Sequence, residues 1–182
     1  MSTLTIELPP QRTQTESNLR RWTEVRADPE MWKIEGRIET DRHGHVLMSP
    51  PPGSTHGRHQ ARIAILLDRF RGDHVLTECP ISTADGVRAA DVAWASTDVM
   101  RRVSENDVLT RAPEICVEVL SPDNSPAEMR YKTALYLDAG AQEVWLCSKS
   151  GKMTFFALIA DRTTQLNKSK LCPDFPSQIS LR

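Results

Sequence analysis

Hydrophobic and polar positions alternate along this chain in two rhythms. From Ser54 to Phe70, apolar residues fall at Ile63, Leu66, Leu67 and Phe70, while Arg58, Arg62 and Arg69 lie elsewhere around the turn. That three-and-four spacing predicts an amphipathic helix, stopped by Gly72. A shorter helix is expected over residues 17–26, with Leu19, Trp22 and Val25 on one side. Short runs rich in Val, Ile and aromatics predict strands over 75–83, 89–95, 114–120, 142–148 and 153–159. Two earlier strands, 31–40 and 45–49, are joined by the hairpin signal DRHG. The run MSPPPG then ends regular structure, because three prolines in a row fit neither a helix nor a central strand. Residues 1–15 read as a flexible tail with a weak strand at 4–8, and 16–182 as one domain. Residues 96–111 form a polar, partly helical connection, and a loop with a short terminal strand is expected from Asp161 onward.

The most structured stretch is PEICVEVLSPDNSPAEMRYKTALYLDAG, residues 113–140. It predicts a buried strand, a turn and a helix. Ser125 is placed to cap the helix, Pro126 takes its first position, Glu128 completes a capping box, and Gly140 stops it. One acid, Glu118, interrupts the apolar strand, and burying a carboxylate there is costly unless something pairs with it. Lys132 follows on the helix. The whole order, strands, helix, strands, helix, strands, gives an α/β class with a mixed sheet and helices packed on it.

Composition leaves this picture in place: 182 residues, 39% hydrophobic and 26% charged, are ordinary for one soluble domain. No apolar run reaches the length of about 18 residues that a membrane helix needs. The first residues lack a basic segment followed by an apolar one, so a cytoplasmic location is expected. Cys79, Cys116, Cys147 and Cys172 are widely spaced with no CxxC pair, which predicts reduced core thiols. A net charge of -1 gives no global attraction to nucleic acid, so any such binding requires a local basic surface.

Two acids stand in neighbouring strand candidates, Asp91 among small apolar residues and Glu118 in the strand that follows. Carboxylates brought close repel one another and make a seat for a divalent cation, and Mg²⁺ is commonly held by one or two of them with waters and substrate phosphate. Lys132 would then orient a water or stabilise charge on a phosphate. Glu78 is a third strand carboxylate, a ligand or a helper. The plain alternative makes Asp91 and Glu118 strand-end residues and Lys132 a solvated lysine, and spacing alone favours it. His56 and His59 lie one helical turn apart without an HExxH pattern. His59 with Arg58 and Arg62 would suit phosphate contact, although a solvated helix start explains them as simply. No Gly-rich phosphate loop, GxSxG elbow or Rossmann fingerprint is present.

The motif order resembles the Uma-two family, a branch of the PD-(D/E)XK restriction-endonuclease-like superfamily. The resemblance is carried by IEGRIETDRHGHVLMSPPP, then STHGRHQARIAILLDRF, then ECPISTADGVRAADVAW, then EVLSP with Lys132 and Tyr136, and last GAQEVWL. It implies a restriction-endonuclease-like core preceded by a β-hairpin extension. It also implies a phosphodiesterase site using Mg²⁺ or Mn²⁺, with Asp91 and Glu118 as metal ligands, beside which Glu78 stands as a further candidate ligand from the strand reading alone. In the superfamily the lysine stands two residues after the glutamate. Here that place is Leu120, and Lys132 is the matching position. The proline before the aspartate is Ala90, and an acid of the first hairpin is replaced by Trp32, which leaves a supporting carboxylate unaccounted for.

The resulting expectation is a metal-dependent endonuclease acting on DNA as a homodimer, with Asp91, Glu118 and Lys132 catalytic and His59, Arg58 and Arg62 on the phosphates. A silent nucleic-acid or protein-binding module keeping the fold is the alternative. A hydrolase of another phosphate ester is a third reading.

Overall fold

The computed structural model describes residues 11–72, 74–101, 108–122 and 124–181. A six-stranded mixed sheet organises it, formed by β3 (His74–Thr83), β4 (Gly86–Ala95), β5 (Ile115–Val119), β6 (Glu143–Cys147), β7 (Met153–Ile159) and β8 (Arg162–Leu166), side by side in that order. Only β5 and β6 run parallel; every other neighbouring pair is antiparallel. A single helical turn, α3 (Thr97–Met100), follows β4, and the crossover that the parallel pair requires is supplied by α4 (Pro126–Asp138). Its start is built as the sequence predicts: Ser125 and Glu128 form a reciprocal capping box with proline in the first turn.

Helix α2 (Ser54–Arg71) covers one face of the sheet. Its Ile63, Leu66 and Leu67 pack on Val92, Trp94, Val117 and Trp145. Helix α4 lies on the other face, with Tyr136 and Leu137 beside Cys79, Cys116 and Val144. All four cysteines are buried and free, as expected. Because β4 and β5 are enclosed from both sides, they read as unbroken buried runs, and any charge in them needs a partner.

Three segments differ from expectation. Helix α1 spans Gln11–Ala27, so regular structure starts inside the expected tail; Gln14 Nε2 donates to Asn18 Oδ1 one turn on at 2.8 Å. The weak strand at 4–8 lies outside the described residues. Residues 31–40 are not one strand: Met31–Lys33 form a 3₁₀ turn and β1 runs only from Arg37 to Thr40. Gly36 makes the break, with φ +122° and so close to Ser49 O that a Cβ there would sit 2.1 Å away. Beyond Asp161 the strand comes first, as β8, and the following irregular segment returns to the core through Cys172, Phe175 and Ile179.

A two-stranded hairpin of β1 and β2 (Val46–Ser49) stands apart from the large sheet and docks on β4. Val87 N donates to Thr40 Oγ1 at 3.0 Å and Ala89 N to Glu39 Oε1 at 2.8 Å. Close approach is possible because Gly86, at φ +85°, has no Cβ to meet Thr40 O. Among the described residues no helix is long and apolar enough to cross a membrane.

Candidate active site

Register brings three carboxylates into one row. In the β4–β5 ladder Val92 faces Val117, so one step further Asp91 faces Glu118. In the β3–β4 ladder Thr77 faces Val92 and Cys79 faces Ala90, which puts Glu78 opposite Asp91 on its other side. The ladders are interrupted at this row. Glu78 takes a left-handed φ of +50°, unusual for a residue with a side chain. Strict alternation is lost there, since Leu76 and Cys79 pack in the same core cluster although three residues apart. Side chains replace the missing sheet bonds: Gln60 Nε2 donates to Asp91 O at 3.0 Å, and Val119 N donates to Asp91 Oδ2 at 2.5 Å.

Two cations lie among these acids. From α4, Lys132 Nζ stands 3.1 Å from Glu118 Oε1 and 3.0 Å from Glu39 Oε1. From β1, the Arg37 guanidinium bonds Asp91 Oδ1 and Glu78 and stands 4.0 Å from Glu118 Oε2. Tyr136, one turn after Lys132, donates its hydroxyl to Glu118 Oε1 at 2.7 Å. The four acids, Arg37 and Lys132 line a cavity of about 670 Å³ together with Pro50, Pro51 and Pro52.

The charges do not balance. Glu39, Glu78, Asp91 and Glu118 outnumber Arg37 and Lys132, since Arg88, which also pairs with Glu39, is shared with Asp85; all except Glu78 are deeply buried or nearly so. Glu118 shows the consequence. Burial raises its pKa, Lys132 and Arg37 oppose the rise, and Asp91 and Glu39 reinforce it, leaving the group at about 7. Asp91 goes the other way: burial pushes it up, but His56, Arg37 and the Val119 amide hold it below the ordinary aspartate value. Burial would lower Lys132, yet Glu118 and Glu39 outweigh it and keep the ammonium above its usual range. One carboxyl near neutrality beside a firmly charged one is a common arrangement in sites that handle protons.

A family model described as "Uma2: Putative restriction endonuclease" matches residues 28–182, most of the chain. The chain belongs to the Uma2 family. Among solved structures, its fold is similar to that of a protein from Anabaena variabilis ATCC 29413 described as a "putative nuclease belonging to DUF820". That match has a TM-score of 0.63 and 17% identity, and it covers 84% of this chain and 93% of that one. At such identity the likeness is one of fold. No curated protein matches the chain.

Of the candidate site residues read from the sequence, the fold brings Asp91, Glu118, Lys132 and Glu78 to one cavity. His59, Arg58 and Arg62 stand elsewhere. His59 is buried in the body of α2, Arg58 donates to Leu181 O, and Arg62 is exposed on the helix away from the cavity lining. The histidine that does reach the cavity is His56, whose Nε2 is 3.3 Å from Asp91 Oδ1. Three contributors were not legible as site residues: Arg37, Glu39 and Gln60. Glu39 supplies a supporting carboxylate that the Trp32 replacement had left unaccounted for. The only signal for Glu39 was an acid in a short hairpin strand otherwise set to pack on the sheet.

As to a metal, Asp91, Glu118 and Glu78 offer oxygen ligands only, the set that hard cations such as Mg²⁺ and Mn²⁺ take. Among the described residues no three His, Cys, Asp or Glu side chains are grouped to hold an ion as they stand. Arg37 lies where their oxygens meet. Mg²⁺ commonly uses one or two carboxylates with waters, which Asp91 and Glu118 provide, so the residues fit the ion.

Proposed function

We propose that this protein is a divalent-metal-dependent endonuclease that hydrolyses DNA phosphodiester bonds. The observation that supports this reading most is the convergence of Asp91, Glu118 and Lys132, with the lysine 3.1 Å from the glutamate, in an open cavity. Membership of a family described as "Putative restriction endonuclease" supports nucleic acid as the substrate.

Asp91 and Glu118 would hold Mg²⁺ or Mn²⁺, and the bound ion supplies charge neutralisation at the phosphate oxygens and acidifies water. Asp91 is fixed for that role, since Val119 N anchors one of its oxygens. Glu118 is oriented by Tyr136 and Lys132. Lys132 stays protonated in the protein as it stands, so it acts as a fixed positive donor that positions the attacking water and stabilises phosphate charge, rather than as a base. Glu39 holds that ammonium from the other side. Cutting both strands of a duplex calls for two such sites, and a homodimer is part of the proposal.

The alternative, a silent binding module, draws support from Arg37, which already pairs with Asp91 and Glu78, and from the near-neutral net charge. Cleavage of supercoiled and linear DNA with Mn²⁺ or Mg²⁺ separates the readings. We expect metal-dependent cutting that Glu118→Ala abolishes. Equal cutting by both proteins would mark a contaminant and remove Glu118 from the chemistry. Failure of Mn²⁺ to bind at all would favour the silent module.

A further inference from the structure

Arg37 has no counterpart in the scheme above, yet it makes more polar contacts in the cavity than any residue assigned to catalysis. Its Nε donates to Glu78 Oε2 at 2.8 Å and its Nη2 to Glu78 Oε1 at 2.9 Å, a two-pronged grip. The same Nη2 bonds Asp91 Oδ1, and Nη1 reaches Ala89 O at 3.2 Å. The side chain is 16% exposed and Asp91 1%. A guanidinium cannot lose its proton in a protein, so this positive charge is permanent.

Asp91 lines the cavity; its Oδ1 accepts from Arg37 and stands 3.3 Å from His56 Nε2, while its Oδ2 accepts from the Val119 amide. A divalent ion on Asp91 Oδ1 would share that buried oxygen with the guanidinium, and two cations on one buried oxygen repel strongly. Glu78, whose side chain is 47% exposed, gives the displaced guanidinium a second partner at the cavity mouth that need not let go.

We infer that Arg37 is a built-in competitor for the metal: its guanidinium balances Asp91 in the metal-free protein, and a divalent cation binds only as that guanidinium leaves Asp91 while Glu78 retains it. This rests on the metal reading of the site and adds a residue that sets its affinity. It assigns Glu78 to the arginine rather than to the ion. The carboxylates are then kept paired when no metal is present, which a buried acid cluster needs.

The test is Mn²⁺ binding by calorimetry and by the electron paramagnetic resonance signal of free Mn²⁺, with no DNA present. The proteins compared are wild type, Arg37→Gln, Arg37→Lys and Glu118→Ala, each with its thermal midpoint in chelator and in excess Mn²⁺. If the open state is a minority of about one-tenth to one-hundredth, Arg37→Gln tightens the Mn²⁺ Kd by about ten- to a hundredfold. Its midpoint in chelator falls below wild type, and excess Mn²⁺ restores it. Arg37→Lys, which keeps the charge but loses the fork, binds between the two. Should Arg37→Gln fail to fold, Arg37→Lys carries the test alone, with tighter binding than wild type expected. Unchanged or weaker binding in the arginine variants, with binding lost in Glu118→Ala, overturns the inference and leaves the metal site standing. Absence of binding in every protein overturns both.

Discussion

Lys132 bridges Glu118 and Glu39: its Nζ is 3.1 Å from an oxygen of the first and 3.0 Å from an oxygen of the second, and all three are buried. The ammonium thus ties the β5 strand to the N-terminal hairpin. A charge held between two carboxylates in a low-dielectric setting is fixed in place, and fixed donors are what stabilise a developing phosphate charge.

Lys132→Met should lower DNA cleavage by about a hundredfold or more, the range for losing a positioned donor. It should also destabilise the fold by about 3–5 kcal/mol, because Glu39 and Glu118 lose the cation that compensates their burial. Single-turnover cleavage and urea unfolding measure the two effects. Unchanged stability would mean that the bridge is absent in solution.

Glu39→Gln tests a residue that only the structure brought to the site. The amide still accepts from Ala89 N, where Glu39 Oε1 now accepts at 2.8 Å, but no longer balances Lys132 and Arg88. Cleavage should drop by about tenfold or more while the Mn²⁺ Kd changes little, because Glu39 positions the lysine rather than the ion. A loss confined to metal affinity would instead place Glu39 among the ligands.

Stability should depend on pH in two opposite limbs. Glu118 keeps its proton up to about pH 7 in the folded protein, against an ordinary value of 4.5. Between those values the native state binds more protons than the unfolded chain, so stability falls as pH rises, by an amount on the order of 1–3 kcal/mol. Asp91 and Glu39 are held below their ordinary values, so their contribution is lost as pH falls through the acid range. Urea midpoints from pH 3 to 8 in chelator, compared with Glu118→Gln, should show the upper limb flattened in the variant. An upper limb that survives in Glu118→Gln assigns the titration to another group.

Gly86→Ala should reach the site from a distance. A Cβ at Gly86 would lie 2.1 Å from Thr40 O, and φ there is +85°. The strain costs about 1–3 kcal/mol and pushes the hairpin that carries Arg37 and Glu39 away from β4. Weaker cleavage together with a lower thermal midpoint is expected. A variant as stable as wild type would show that the hairpin tolerates the methyl group.

The start of helix α4 was legible to the residue because it depends on near neighbours: Ser125, Pro126 and Glu128 lie within one turn of each other. The strand carrying Glu118 was legible for a similar reason, since a run of buried Val and Ile needs no partner to be recognised. Asp91, Glu118 and Lys132 gained their meaning from the order of family motifs, not from spacing. The choice of His59 over His56 failed to match the cavity because both sit on the same helix one turn apart, and only the angle at which α2 docks decides which one faces Asp91.

What the chain determined by itself was therefore local and ordinal: where elements start and stop, which strands are buried, and which acids and lysine follow one another in the Uma2 pattern. What the tertiary structure alone decided was pairing at long range. The row Glu78, Asp91, Glu118 exists because two strand registers coincide, and Arg37 and Glu39 reach it because a hairpin folds back on β4 across Gly86. Such contacts join residues far apart in sequence, where neither periodicity nor capping leaves a trace, and the charge on each becomes informative only once burial forces it to find a partner.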